Sequence, residues 1–137
     1  MSVMKSSFMG DKFMPAIAQV DFRDFARSVG TVVRYGAGDA IFREGDAAGL
    51  MYVILRGSVE LTKQRRLIEA MHSGDAFGFV SFLDGEPRGV TAQAGDDCDL
   101  ALIDQKKFRY MMEEMPNFVW YVMEQMARHL RIASAAL

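Results

Sequence analysis

The chain has one cysteine, three prolines and two histidines in 137 residues. A single cysteine excludes an internal disulfide, so stability must come from a packed core, and it suits a reducing compartment. No apolar run approaches the ~18 residues that a membrane-spanning helix needs. The N-terminal MSVMKSSFMGDKFMPAIAQV lacks the apolar stretch and cleavage site of a secretory leader. Neither sign of charge dominates. Sixteen Lys and Arg against eighteen Asp and Glu leave a net charge of −2, and the pI is near 5.7. That balance argues against a basic footprint for nucleic acid and against a polybasic anchor for anionic lipid. The expectation is a cytoplasmic protein with no membrane contact.

Groupings that carry catalysis are scarce too. His72 and His129 fall in different elements and form no Cys/His cluster, so no metal site is expected. Ser81, in FVSFL, lacks the flanking glycines of a nucleophile elbow. Gly36-Ala37-Gly38 begins like a dinucleotide loop, but the third glycine is missing and a strand follows. Cys98 reads as a small core residue. The expectation is a protein that is not an enzyme and needs no cofactor.

What is present is one domain's worth of ordinary globular composition, 50% apolar and 25% charged. Residues 1–20 mix Ser, Gly, Lys and Met without periodicity and read as a loosely held, partly disordered arm. A single domain is expected over 21–137. DFRDFARS predicts a short helix with Asp21 as N-cap and Gly30 as stop. From Thr31 the period becomes that of strands. MYVIL is a buried strand, Arg56-Gly57-Ser58 a turn, VELT alternates, Lys63-Gln64-Arg65-Arg66 is a tight basic turn, and LIEAM is the next strand. Val90–Gln93 and Leu100–Ile103 follow, joined by Gly95-Asp96-Asp97. Short strands at this spacing argue a β-sandwich or roll. Asp104 then caps a helix, Pro116 interrupts it, and Asn117 caps a last helix over 117–137. Val119, Val122, Met126, Leu130 and Ala133 form an apolar stripe on it.

One stretch does not fit ordinary packing alone. FGFVSFLDGEPRGVTA sets Gly78 and the amides that follow it ten residues before Arg88. Glycine lets backbone amides approach a phosphate, a helix start adds its positive end, and arginine binds two oxygens at once. The competing reading is a surface arginine paired with Asp84 or Glu86.

GDAIFREGD, MYVILRGSVEL, GDAFG and PRGVTA, in that order, resemble the cyclic-nucleotide-binding domain of the catabolite-activator and fumarate-nitrate-regulator type. The likeness covers about residues 20–137. It implies an α+β fold: an eight-stranded, jelly-roll-like β-roll flanked by a short N-terminal helix and C-terminal helices, the last serving dimerisation. It implies a phosphate cassette in which Arg88 carries the charge and Gly78, Phe79 and Val80 contribute amides. Cyclic AMP or cyclic GMP is the implied ligand.

The sequence departs from the family pattern at four places. Phe79 stands where the family has a glutamate that accepts from the ribose hydroxyl. Losing a bond to a charged group costs roughly 1.5–3 kcal/mol, or about ten- to a hundredfold in affinity. Gly89 stands where many members have Ser, Thr or Ala. The Lys63–Arg66 turn is shorter than the usual hairpin. Ala133-Ser134 replaces a Thr-Ser pair, leaving Ser134 as the base contact. The sequence ends at Leu137 without a helix-turn-helix, so no DNA reading is expected of this chain alone. The expected function is a regulatory module with weak or altered cyclic-nucleotide binding, a homodimer through its last helix. The alternative is a vestigial pocket on a dimerisation or protein-docking scaffold.

Overall fold

A computed structural model describes residues 21–136, with side chains through Arg131. The described residues fall into two compact units, Phe22–Tyr110 and the helical stretch from Met111 onward. The first unit is the β-roll. In chain order it comprises α1 (Arg23–Val29), β1 (Thr31–Tyr35), β2 (Ala40–Phe42), β3 (Met51–Arg56), β4 (Ser58–Lys63), β5 (Arg66–His72), β6 (Ala76–Phe77), α2 (Phe79–Asp84), β7 (Thr91–Ala94) and β8 (Cys98–Ile103). Then come α3 (Gln105–Glu114) and α4 (Pro116–Ala136). The eight strands form two four-stranded antiparallel sheets, ordered β1-β8-β3-β6 and β2-β7-β4-β5.

The sheets differ, and the sequence says why. β4 alternates, with Val59 and Leu61 buried and Glu60 exposed, so its sheet keeps one wet face. In β3 every residue from Met51 to Leu55 is buried. Tyr52 and Ile54 join the core between the sheets, while α1 packs against β3 and β8 on the other face. Gly30 ends α1 so close to β8 that a Cβ there would lie 2.7 Å from Ile103 Cδ1. Cys98 is fully buried in the core between the sheets, and burial is the main cause that raises its thiol pKa.

Three turns share one construction. Asp39, Asp46 and Asp75 each accept, through the side chain, the N–H three residues back, at 2.8, 2.9 and 2.9 Å. Each aspartate follows a glycine with left-handed φ, Gly38, Gly45 and Gly74. The last of these turns is clamped to β3, since Gly74 N–H donates to Ile54 O and Ile54 N–H to Asp75 O. That clamp aims β6 at the next glycine, Gly78.

The helix ends differ from the sequence expectation in two places. α1 starts after Phe22, with no side-chain cap bond, so Asp21 is not its N-cap. Pro116 starts α4 instead of interrupting a helix, and Asn117 lies inside the first turn. Proline suits the first helical position because its missing N–H has no partner there anyway. Asp104 does cap α3, accepting from Lys107 N–H at 2.9 Å.

Along α4 the expected stripe is split. Val122 is buried, Val119 and Met126 are half-buried, and Leu130 is 70% exposed. Trp120, Met123, Ala127 and Leu130 form the exposed apolar seam. Among the described residues no helix is long and apolar enough to cross a membrane.

Gly57 tests how tightly the roll is closed. Its φ is +92°, and an added Cβ would sit 2.4 Å from Asp97 O. Ser58 beside it donates through N–H and Oγ to Asp96, at 2.8 and 2.9 Å. Both the conformation and the space exclude a side chain. Gly57→Ala is expected to destabilise the protein by about 2–3 kcal/mol, read as a lower midpoint in urea unfolding. An unchanged midpoint would refute the tight closure of this turn.

Candidate functional site

Gly78 sits between β6 and α2 with φ +80°. A Cβ there would meet Arg88 Nη1 and Tyr52 Cδ1 at 3.1 Å and Phe42 Cε2 at 3.4 Å. Glycine is thus required twice, by backbone hand and by crowding. The crowding comes from an aromatic cluster on three strands. Tyr52 and Phe77 stack at 5.0 Å, and Phe42 lies 5.8 Å from Tyr52 and 6.2 Å from Phe77.

Arg88 closes this cluster. It is 5% exposed, the one buried charged residue among those described. Its Cζ lies 4.0 Å from the centroid of the Phe42 ring, a cation–π contact. Nη1 donates to Gly78 O at 2.5 Å, and Nη2 donates to Leu50 O. Nε is buried and has no hydrogen-bond partner. Burial lowers the guanidinium pKa, while Tyr52 and Asp46 pull it back up. Burial likewise raises the Tyr52 hydroxyl, opposed by the Arg88 charge.

The Arg88 backbone is fixed as firmly as its side chain. Its N–H donates to Asp46 O and its carbonyl accepts from Gly45 N–H, both at 2.8 Å. Ser81 Oγ donates to Pro87 O at 3.2 Å, tying α2 to the same segment. Ser81 therefore serves the loop.

The structure brings Gly78 and Arg88 together. It does not pair Arg88 with Asp84 or Glu86: Asp84 accepts instead from the Glu86 N–H at 2.9 Å. Phe79 is buried, at 2% exposure, as the first residue of α2. Val80, next in that helix, is 40% exposed. Gly89 is exposed, with nothing within 4 Å of a would-be Cβ. Ser134 belongs to α4, but its side chain lies outside the described residues. The sequence reading missed the acceptor role of Leu50 O, which carries no sequence signal because any residue supplies a carbonyl. It also missed the Phe42–Tyr52–Phe77 wall. The unbroken apolar run of β3 gives no sign of which side chains face that wall. Among the described residues no group of three or more His, Cys, Asp or Glu is gathered to hold a metal.

The site is thus a β-roll whose short helix follows a left-handed glycine, with a buried arginine folded back onto that glycine. The cyclic nucleotide-binding domain family matches residues 32–115, and the chain belongs to that family. The cAMP-activated global transcriptional regulator CRP of Salmonella typhimurium is 27% identical over 107 residues, 74% of this chain and 51% of that protein. A cAMP-dependent protein kinase regulatory subunit of Eremothecium gossypii is 32% identical over 75 residues, 55% of this chain and 16% of that protein. The solved catabolite activator protein of Thermus thermophilus superposes with a TM-score of 0.74 at 26% identity, covering 82% of this chain and 55% of that one. The chain thus spans about half the length of the regulators it matches, and much less of the kinase subunit.

Arg88 also holds the fold. Arg88→Ala leaves two carbonyls without their charged donor and is expected to cost about 1–3 kcal/mol. Arg88→Lys keeps the charge, but one ammonium lacks the planar fork that spans both acceptors. It should fall between wild type and Ala in thermal melts. A melt of Arg88→Ala equal to wild type would overturn this structural role.

Proposed function

We propose that this domain is a non-enzymatic regulatory module whose Arg88 site takes the phosphate of cyclic AMP or cyclic GMP, weakly and with altered ribose recognition. The carrying observation is the unpartnered buried Nε of Arg88. A buried cation with an unspent donor is completed by an anion. Gly78, Phe79 and Val80 add backbone amides, and Gly89 adds its own amide without a hydroxyl. Phe79 supplies no acceptor for a ribose hydroxyl, and its burial supports a ring that takes up room beside the sugar. Ligand would bias the C-terminal helices, which is how a small molecule reaches a partner.

One observation favours a second reading. Arg88 already donates to two carbonyls. A cation so satisfied, beside a buried phenylalanine, suits a closed pocket on a dimerisation or docking scaffold. Calorimetric titration with cyclic AMP and cyclic GMP separates the two. Heat at micromolar to millimolar ligand is expected, and silence at millimolar ligand sides with the scaffold. Phe79→Glu is expected to tighten binding about ten- to a hundredfold. A well-folded variant that stays silent would mean that the ribose acceptor is not what limits binding.

The exposed seam of α4 supports a homodimer in either reading. Trp120, Met123, Ala127 and Leu130 fall at spacings of three, four and three, the pattern of a two-helix seam. Sedimentation is expected to give a dimer for the wild type and a monomer for Leu130→Glu. A wild-type monomer at high micromolar concentration would remove the seam as an interface.

A further inference from the structure

The β4–β5 turn is built in an unfavourable way. Lys63 pairs with Arg66 across a two-residue loop. Its central residues, Gln64 and Arg65, have φ of 52° and 68°. Such turns favour Asn-Gly or Asp-Gly because both positions need left-handed backbone, and neither residue here is of that kind. Strained backbone persists where its surroundings hold it. The holder is Glu44, whose Oε2 accepts the Gln64 N–H at 3.0 Å. That N–H is the first central donor of the turn, which the hairpin ladder leaves unused.

Glu44 is bound at its other end as well. Its own N–H donates to Thr91 Oγ1 at 3.1 Å. The next residue, Gly45, donates to Arg88 O, and Arg88 donates back to Asp46 O. Asp46 in turn accepts from Arg43 N–H at 2.9 Å, closing the Arg43–Asp46 turn on itself. Hydrogen bonds and the Glu44–Gly45 peptide link therefore join the tip of the hairpin to the backbone of Arg88, and the Glu44 carboxylate makes the contact to the tip.

We infer that Glu44 is a positioning residue: it ties the strained β4–β5 turn to the Arg88 backbone and so sets how the guanidinium is presented to an anion. Its consequence for nucleotide affinity rests on the reading proposed above. The coupling itself does not. Whatever displaces the Arg88 segment also displaces the hairpin tip, because the two share the rigid Arg43–Asp46 turn.

Amide hydrogen exchange by NMR on the full chain tests the coupling without ligand. Glu44→Ala is expected to speed exchange at Gln64, and also at Gly45 and Arg88, by about fivefold or more. Faster exchange at Gln64 alone, in a variant that melts cooperatively, would overturn the inference and leave Glu44 a local turn contact. Should Glu44→Ala fail to fold, Glu44→Gln replaces it. That variant keeps the volume and an acceptor but loses the charge, and about twofold faster exchange at all three amides is expected. Unchanged Gly45 and Arg88 amides would again overturn the coupling. Calorimetry with cyclic AMP adds the functional half: about fivefold weaker binding by Glu44→Ala supports it, and unchanged affinity rejects it. If the wild type takes up neither nucleotide, the proposed function falls, while the exchange result still decides the coupling.

Discussion

The burial of one guanidinium organises the roll. Taking an arginine out of water costs several kcal/mol even after relaxation. Arg88 recovers roughly 1.5–3 kcal/mol from each of two carbonyl acceptors. It recovers about 2 kcal/mol more from the desolvated Phe42 face. These terms come close to cancelling. They hold only if Gly78 O, Leu50 O and the Phe42 ring stay where they are. The acceptors lie just after β6 and just before β3, and the ring is on β2. One side chain therefore fixes the mutual position of segments from both sheets.

That demand explains the turn chemistry around it. Each of the three Gly-Asp turns spends a carboxylate on its own backbone, which stiffens a connection too short for secondary structure. Two of the three border the Arg88 site: Gly74-Asp75 aims β6 toward Gly78, and Gly45-Asp46 holds the Arg88 backbone. The wet face of the β4 sheet tolerates polar residues freely. The doubly covered β3 does not, and β3 is where Tyr52 must be held. The site is built against the most constrained strand in the molecule.

Much of this was legible in the sequence because it depends on period and order. Alternation in VELT, the unbroken MYVIL and the return to helical spacing after Asp104 mark strands and helices directly, while the eight-stranded roll came from the family resemblance. Gly78 and Arg88 stand out as a pair because glycine signals a close backbone approach and arginine a charged, two-pronged donor. Misplaced were features decided by a single residue's backbone: the cap of α1 at Phe22 and the place of Pro116 at the head of α4. The split of the α4 stripe was hidden for another reason. Spacings of three and four suit both seams of a helix, and only tertiary burial separates Val122 from Leu130. The Leu50 and Glu44 contacts were out of reach, since long-range bonds between backbone and side chain leave no local pattern.

On the proposed reading, the same bonds define what a ligand must achieve. An anion arriving at Arg88 meets a guanidinium with two of its five donors committed and Nε unspent. If it engages Nε alone, it adds a bond and leaves the Gly78 and Leu50 contacts intact. Binding then stiffens the roll without moving it. If it needs the fork of both terminal nitrogens, it must take them from those carbonyls, and β6 and the Leu50 loop lose their common anchor. The first path gains affinity and transmits little. The second sacrifices affinity to drive movement at segments that the arginine had been holding. On the proposed reading, Phe79 withholds a ribose acceptor and leaves the phosphate as the main source of binding energy. The choice between the two paths then rests on how firmly the Arg88 backbone is held in place.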